Sequence, residues 1–125
     1  MTKILILAGG YSNEREISLI TAKSVIYELK KSKKYKLLLI EPDGSFVKKM
    51  RKFKPNLVLN LLHGRYGEDG YIQSILESEK VRYSHSGVLS SSLAIDKEIS
   101  KKIFIKNNIL TPPYIKFSFK NNFNL

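Results

Sequence analysis

The chain has no cysteine and no tryptophan, and only two histidines among its 125 residues. Without cysteine there can be no disulfide, no cysteine-ligated zinc and no iron–sulfur cluster. Two histidines are too few for a histidine-built metal centre. Acids are scarce relative to bases: 11 Asp and Glu face 22 Lys and Arg, for a formal charge of +11 and a pI near 9.8. No apolar run approaches the roughly 20 residues that span a bilayer. The N-terminal apolar stretch, Ile4 to Ala8, is too short for a secretory core and has no basic region before it. These absences lead to the expectation of a cytoplasmic protein with no membrane partner.

The basic excess has two readings. One is nucleic-acid binding, which a basic surface favours. The other is a set of solvated lysine faces. The lysines fall in short scattered clusters, Lys30-Lys31, Lys33-Lys34, Lys48-Lys49 and Lys101-Lys102. No recognition helix, zinc finger or stacking platform accompanies them, so the expectation is no nucleic-acid partner. A chain of this length suffices for one domain burying about two thirds of its unfolded surface.

Residues 3–8 read as a buried parallel strand, being short, apolar and continuous. Residues 14–31 read as an amphipathic helix, with Ile17, Ile20, Ala22, Val25, Ile26 and Leu29 at helical spacing. Asn13 followed by Glu16 suggests a capping box. Residues 35–40 form a second strand, 41–44 a Pro-Asp-Gly turn, and 45–53 a short helix. Residues 56–62 are a third strand and 70–79 a helix capped by Asp69. Residues 81–83 read as a short fourth strand. The small-residue connector 84–92 tips into a helical turn. Asp96 caps a helix to about 107 with Ile99, Ile103, Phe104 and Ile105 inward, and 114–119 alternates like a strand. The β-α-β-α-β order implies right-handed crossovers and a mainly parallel four-stranded sheet in a three-layer α/β, Rossmann-like sandwich.

Two loops concentrate the polar chemistry. Leu57-Val58-Leu59-Asn60-Leu61-Leu62, apolar except for one Asn, runs into His63-Gly64-Arg65-Tyr66-Gly67-Glu68-Asp69-Gly70. The first strand runs into Gly9-Gly10-Tyr11-Ser12-Asn13-Glu14-Arg15-Glu16. Both loops leave the carboxyl ends of strands, the edge at which open α/β sheets bind ligands. Read alone, Glu14 is either an amine-binding carboxylate or an acid favoured at a helix start. His63 is either a donor or proton relay near neutral pH or a strand-end histidine bonded to backbone. Glu68 would orient it. Arg65 reads equally as a surface arginine, Glu16 and Asp69 as caps. Lys97 is unusual in a helix's first turn, where the dipole disfavours a cation.

These segments resemble the D-alanine–D-alanine ligase family. Ala8-Gly9-Gly10 with Ser12-Asn13-Glu14-Arg15-Glu16-Ile17-Ser18 is similar to its opening signature, and residues 63–70 to its second. Residues 83–97, from Tyr83-Ser84-His85-Ser86-Gly87 to Asp96-Lys97, resemble the segment that leads into the family's central nucleotide-binding domain. The resemblance implies a pre-ATP-grasp N-terminal domain over 1–92 and the beginning of an incomplete ATP-grasp domain over 93–125. It implies an ATP-dependent ligase making D-alanyl-D-alanine for peptidoglycan, hence cell wall and cell shape, through an acyl phosphate.

It also assigns roles. Glu14 would hold the ammonium of the first D-alanine, with His63 beside the bound amino acids. Glu68, Gly9 and Gly10 would complete the pocket, and Lys97 would face nucleotide phosphates. ATP and Mg2+ would be required, a homodimer is allowed, and the magnesium ligands would lie beyond residue 125. Alternatives are a non-catalytic remnant or binding module of the same family and, further off, a basic nucleic-acid binder. The choice among D-alanine, D-lactate and D-serine as second substrate is not made in this segment. His85 departs from the pattern, standing where glycine is common; a required positive φ would strain it by about 1 kcal/mol.

Overall fold

A computed structural model describes residues 1–116 of the chain. Its elements, in order, are β1 (Thr2–Leu7), α1 (Arg15–Lys30), β2 (Tyr35–Ile40), α2 (Phe46–Phe53), β3 (Leu57–Asn60), α3 (Tyr71–Ser78), α4 (Val88–Ile95) and α5 (Lys97–Lys106). The sheet is parallel, in the order β2-β1-β3. Leu5 of β1 pairs with Leu38 on one side and Val58 on the other.

As the central strand, β1 is covered on both faces. Leu5 and Leu7 enter a cluster with Ile40, Phe46, Met50, Val58, Ile72 and Leu76, under α2 and α3. Ile4, Ile6 and Ala8 point the other way and pack with Ala22 under α1. The period-2 alternation of one continuous apolar run thus builds both cores of a three-layer unit.

Among the described residues the sheet has three strands where four were expected. Tyr83 joins it through a single parallel bridge to Val58, with Val58 N–H donating to Arg82 O and Ser84 N–H to Val58 O. The next ladder bond would need a carbonyl opposite Asn60 N–H. That N–H instead donates to the Ser84 hydroxyl at 3.1 Å. A side chain replaces the backbone, and the pairing stops after one residue.

The rotation of α1 also differs from expectation. Ile17 and Ile20 are 56% and 57% exposed, whereas Ser18 and Ala22 are buried. Ser18 Oγ accepts from Gly9 N–H at 2.8 Å and donates to Leu61 O at 2.6 Å. These bonds tie the ends of β1 and β3 to α1, and a buried hydroxyl left without them would be costly. They set the helix face against the pull of two isoleucines. No capping box forms: Glu14 is at the N-cap with no side-chain cap bond, and Ser12 Oγ accepts its N–H instead.

Asp96 is the N-cap of α5, whereas the N-cap of α3 is Gly70 with no side-chain cap bond, and Asp69 stands one residue before it. Asp69 accepts from Tyr71 N–H at 3.1 Å, and Asp96 from Ile99 N–H at 3.0 Å. The small-residue connector becomes α4, which crosses the expected 92/93 division. Ile99, Ile103, Phe104 and Ile105, expected to face inward, are 37–58% exposed. On α5 the buried residue is Ser100, whose hydroxyl donates to Ala94 O at 2.9 Å. The short side chain lets α5 rest on α4 and turns its larger residues outward. Residues 114–116 form no strand; the rest of that expected strand, 117–119, lies outside the described residues.

Candidate functional site

The loops after β1 and β3 meet at the carboxyl edge of the sheet. Their link is Ser12. Its hydroxyl donates to His63 O at 2.7 Å and accepts Glu14 N–H at 3.1 Å. The two signature segments, far apart in sequence, are therefore joined through one side chain.

Gly64 shows how closely they approach. Its φ is +69°, and a Cβ there would stand 2.6 Å from Glu14 Oε2. The left-handed backbone favours a residue without a side chain, and the carboxylate occupies the space a Cβ would take. Glu14 is thereby seated against the residue that follows His63. The Gly64 N–H donates to Glu68 Oε2 at 2.9 Å. Glu68 Oε1 lies 3.9 Å from His63 Nδ1, within ion-pair reach but too long for a hydrogen bond. His63 Nε2 is 3.4 Å from Thr21 Oγ1. Glu14, His63 and Glu68 thus surround one glycine, with His63 half-buried and its ring between α1 and the second loop.

Gly9 and Gly10 line a cleft of about 450 Å³ with Tyr11, Leu62, His63 and Tyr66. The Glu41 carboxylate packs over Gly9, filling the space a side chain would need. Arg15 holds that carboxylate in a two-bond fork, Nε to Oε2 at 2.9 Å and Nη2 to Oε1 at 2.7 Å. Sequence reasoning missed this pair, which couples the start of α1 to the end of β2. Arg65 lies over the Tyr66 ring, 5.1 Å from its centroid. Lys97 stands apart from this cleft. It is exposed and lines a neighbouring one with Glu68, His85 and Ser86.

His85 is not among the residues with positive φ, so the strain expected from its departure from glycine is absent. Its Nδ1 instead meets Asn60 Nδ2 at 3.0 Å. Asn60 is a second residue whose part was missed, although its signal was visible: it is the lone polar group in an apolar strand. Buried to 1% exposure, it donates to Gly67 O at 2.8 Å and accepts Leu62 N–H at 3.2 Å. Gln73 Nε2 also donates to Gly67 O, at 2.9 Å. The second loop is therefore held from beneath by two buried amides.

At the rim, Asp43 accepts from Ser45 Oγ at 2.6 Å and Ser45 N–H at 2.7 Å, and pairs with Lys49 at 3.0 Å. These bonds, the Ser45 hydroxyl first, lower its pKa from 3.8 to about 2. A depressed carboxylate stabilises the fold above its unfolded value. The turn's contribution should be full above pH 3.8 and fall away as pH drops through about 2. The Asp43 carboxyl 13C shift should follow that curve; a midpoint at the ordinary value would contradict the turn geometry.

The shape and the sequence have the same relatives. The chain is 62% identical over 120 residues to the D-alanine--D-alanine ligase of Pelagibacter ubique, covering 96% of this chain and 39% of that protein. It is 43% identical over 109 residues to the Zymomonas mobilis enzyme of the same name, covering 87% and 34%. Among solved structures, the D-alanine--D-alanine ligase of Bacillus anthracis superposes with a TM-score of 0.78 at 37% identity, over 92% of this chain and 38% of that one. The chain belongs to the D-alanine–D-alanine ligase family. It matches the N-terminal part, spanning less than two fifths of the length of these curated relatives. A second Bacillus anthracis ligase structure, complexed with ATP, matches at 34% identity with a TM-score of 0.78, over 97% of this chain and 43% of that one. No family model matches the chain. No helix among the described residues is long and apolar enough to cross a membrane.

Proposed function

We propose that this chain supplies the first-substrate pocket of an ATP-dependent D-alanine–D-alanine ligase of peptidoglycan synthesis. The observation that carries the reading is the Glu14 carboxylate seated against Gly64, next to His63, with Ser12 bonded to both loops. In this reading Glu14 accepts charge-assisted hydrogen bonds from the ammonium of the first D-alanine. His63 donates to the bound amino acid or relays a proton, Glu68 orients it, and Gly9 and Gly10 form the wall. Lys97 faces the nucleotide. Residues 1–92 are the N-terminal domain and 93–125 the beginning of the ATP-grasp domain; the nearest division that cuts no helix is at Asp96, between α4 and α5. The reading places the protein in the cytoplasm and allows a homodimer.

The reaction transfers the γ-phosphoryl group of ATP to the carboxylate of the first D-alanine, giving an acyl phosphate and ADP. The amine of the second D-alanine attacks the acyl carbon. The C–N bond forms, the C–O bond to phosphate breaks, and phosphate leaves as the nitrogen loses a proton. Magnesium would neutralise charge on the phosphates. Among the described residues no group of three or more His, Cys, Asp or Glu could hold an ion, so these side chains do not fit that role.

A polypeptide limited to residues 1–125 is expected to make no detectable dipeptide. Phosphoryl transfer needs several preorganised cationic groups, and losing one donor of this kind can cost about 2.7–4 kcal/mol. Joining the segment to the downstream part of the Pelagibacter ubique ligase should yield ATP-dependent dipeptide synthesis, read as ADP and D-alanyl-D-alanine release. A folded chimera that is inactive would count against the reading, as would turnover by the segment alone that survives repurification.

A further inference from the structure

The hydrogen bond between Asn60 and His85 has a chemical consequence for the cleft that holds Lys97. The orientation of the Asn60 amide is settled by its other partners. Its Oδ1 accepts Leu62 N–H, and its Nδ2 donates to Gly67 O. Turning the amide over would place an oxygen against a carbonyl and an NH2 group against an N–H. The second Nδ2 hydrogen is then directed at His85 Nδ1, 3.0 Å away, which must accept it. That bond exists only for the neutral ring with its proton on Nε2; an imidazolium would set two donors against each other.

With Nδ1 taken up by buried Asn60, Nε2 is the ring nitrogen left for another partner. His85 is exposed and lines a cleft of about 440 Å³ together with Glu68, Ser86, Ser90 and Lys97. The charged residues of this lining, besides His85, are Glu68 from the second loop and Lys97 from α5. Glu68 Oε2 accepts Gly64 N–H, and Oε1 lies 3.9 Å from His63 Nδ1. Lys97, the serine hydroxyls and the Nε2–H make the remaining lining rich in donors.

We propose that Asn60 holds His85 as a neutral donor whose Nε2–H binds an anionic oxygen of a reactant in the Lys97 cleft. Asn60 is then a positioning residue and His85 a binding residue. Because Asn60 also holds Gly67 O, the same amide ties this donor to the loop that carries His63 and Glu68. The identity of the anion rests on the ligase reading, which offers two sources, a phosphoryl oxygen or an amino-acid carboxylate. The placement beside Lys97 favours the phosphoryl group.

The test uses the chain with 15N-labelled histidine, near neutral pH, and long-range 1H–15N correlations that distinguish the two ring nitrogens. His85 should show an unprotonated Nδ1 and a protonated Nε2. Inorganic phosphate and D-alanine are then titrated separately. Movement of the Nε2 signal with phosphate supports a phosphoryl contact, and movement with D-alanine a carboxylate contact. A His85 proton on Nδ1 overturns the proposal, and so does an Nε2 signal that neither probe moves. His63 reports separately in the same spectrum: if D-alanine leaves it unmoved, the substrate-pocket reading fails, whatever His85 does. In the chimera, His85→Gly should raise the KM of the responding substrate by about tenfold or more, the usual effect of losing a bond to a charged group. His85→Gln, whose amide nitrogen reaches the position of Nε2, should recover part of it. An unchanged KM in His85→Gly overturns the donor role.

Discussion

Replacing Glu14 by Gln in the active chimera should lower kcat/KM for D-alanine by about ten- to a hundredfold. This corresponds to the roughly 1.5–3 kcal/mol carried by a hydrogen bond to a charged group. Glutamine keeps the size of the side chain and its bond-forming oxygen, so the seat against Gly64 remains occupied. Only the charge that would hold an ammonium is lost. The helix start should tolerate the change, because Glu14 makes no side-chain cap bond and the N–H groups there use Ser12. The KM for the first D-alanine should rise while that for ATP changes little. Equal KM values for D-alanine in the two proteins would remove Glu14 from the pocket and reduce it to an acid favoured by the helix dipole.

The second large effect concerns stability. Gly67→Ala should destabilise the fold by about 1–3 kcal/mol, the usual penalty for overpacking a filled interior. A Cβ at Gly67 would collide with Leu62 Cβ and stand 3.1 and 3.2 Å from the Leu62 carbonyl carbon and oxygen. Leu62 is buried and its backbone cannot swing aside like a surface side chain. Gly67 O also accepts from both Asn60 and Gln73, so a shift of the loop would loosen two buried amides together. Gly44→Ala is the matched control, since nothing lies within 4 Å of the Cβ it would add. Urea unfolding should show a clear loss of midpoint for the first variant and almost none for the second. Equal midpoints would mean that the loop after β3 yields easily, and the tight support of the site would not hold.

Both predictions depend on features of differing legibility. The three parallel strands, the helices between them and the two polar loops at one sheet edge were readable from periodicity and glycine placement. An apolar run such as Ile4 to Ala8 has few other places to go, since all its side chains must leave water. The same applies to Asp69 and Asp96, where a short acid before a helix binds N–H groups that have no other partner. The family signatures singled out Glu14, His63 and Glu68 as candidates, and the structure brings all three around Gly64.

What periodicity could not decide was how each element is rotated and where pairing ends. Ile17 and Ile20 fit an inward stripe, yet the two hydrogen bonds of Ser18 to the ends of β1 and β3 turn them outward. The short strand at 81–83 has the composition to extend the sheet, but the Ser84 hydroxyl takes the Asn60 N–H and ends the ladder. Ile99, Ile103 and Phe104 lie outward because Ser100 is the residue small enough to meet α4.

The sequence by itself determined the α/β class, the parallel sheet and the segments that bear the polar residues. These follow from local alternation, helix caps and the need to bury apolar side chains. Only the tertiary structure decided that Glu14 and Glu68 both meet Gly64, that Arg15 clamps Glu41, and that His85 is held through Asn60. Each of those outcomes depends on which polar groups, distant in sequence, come within hydrogen-bond range when the strands pair. Buried donors and acceptors must find partners across the fold, and no local pattern specifies which ones they find.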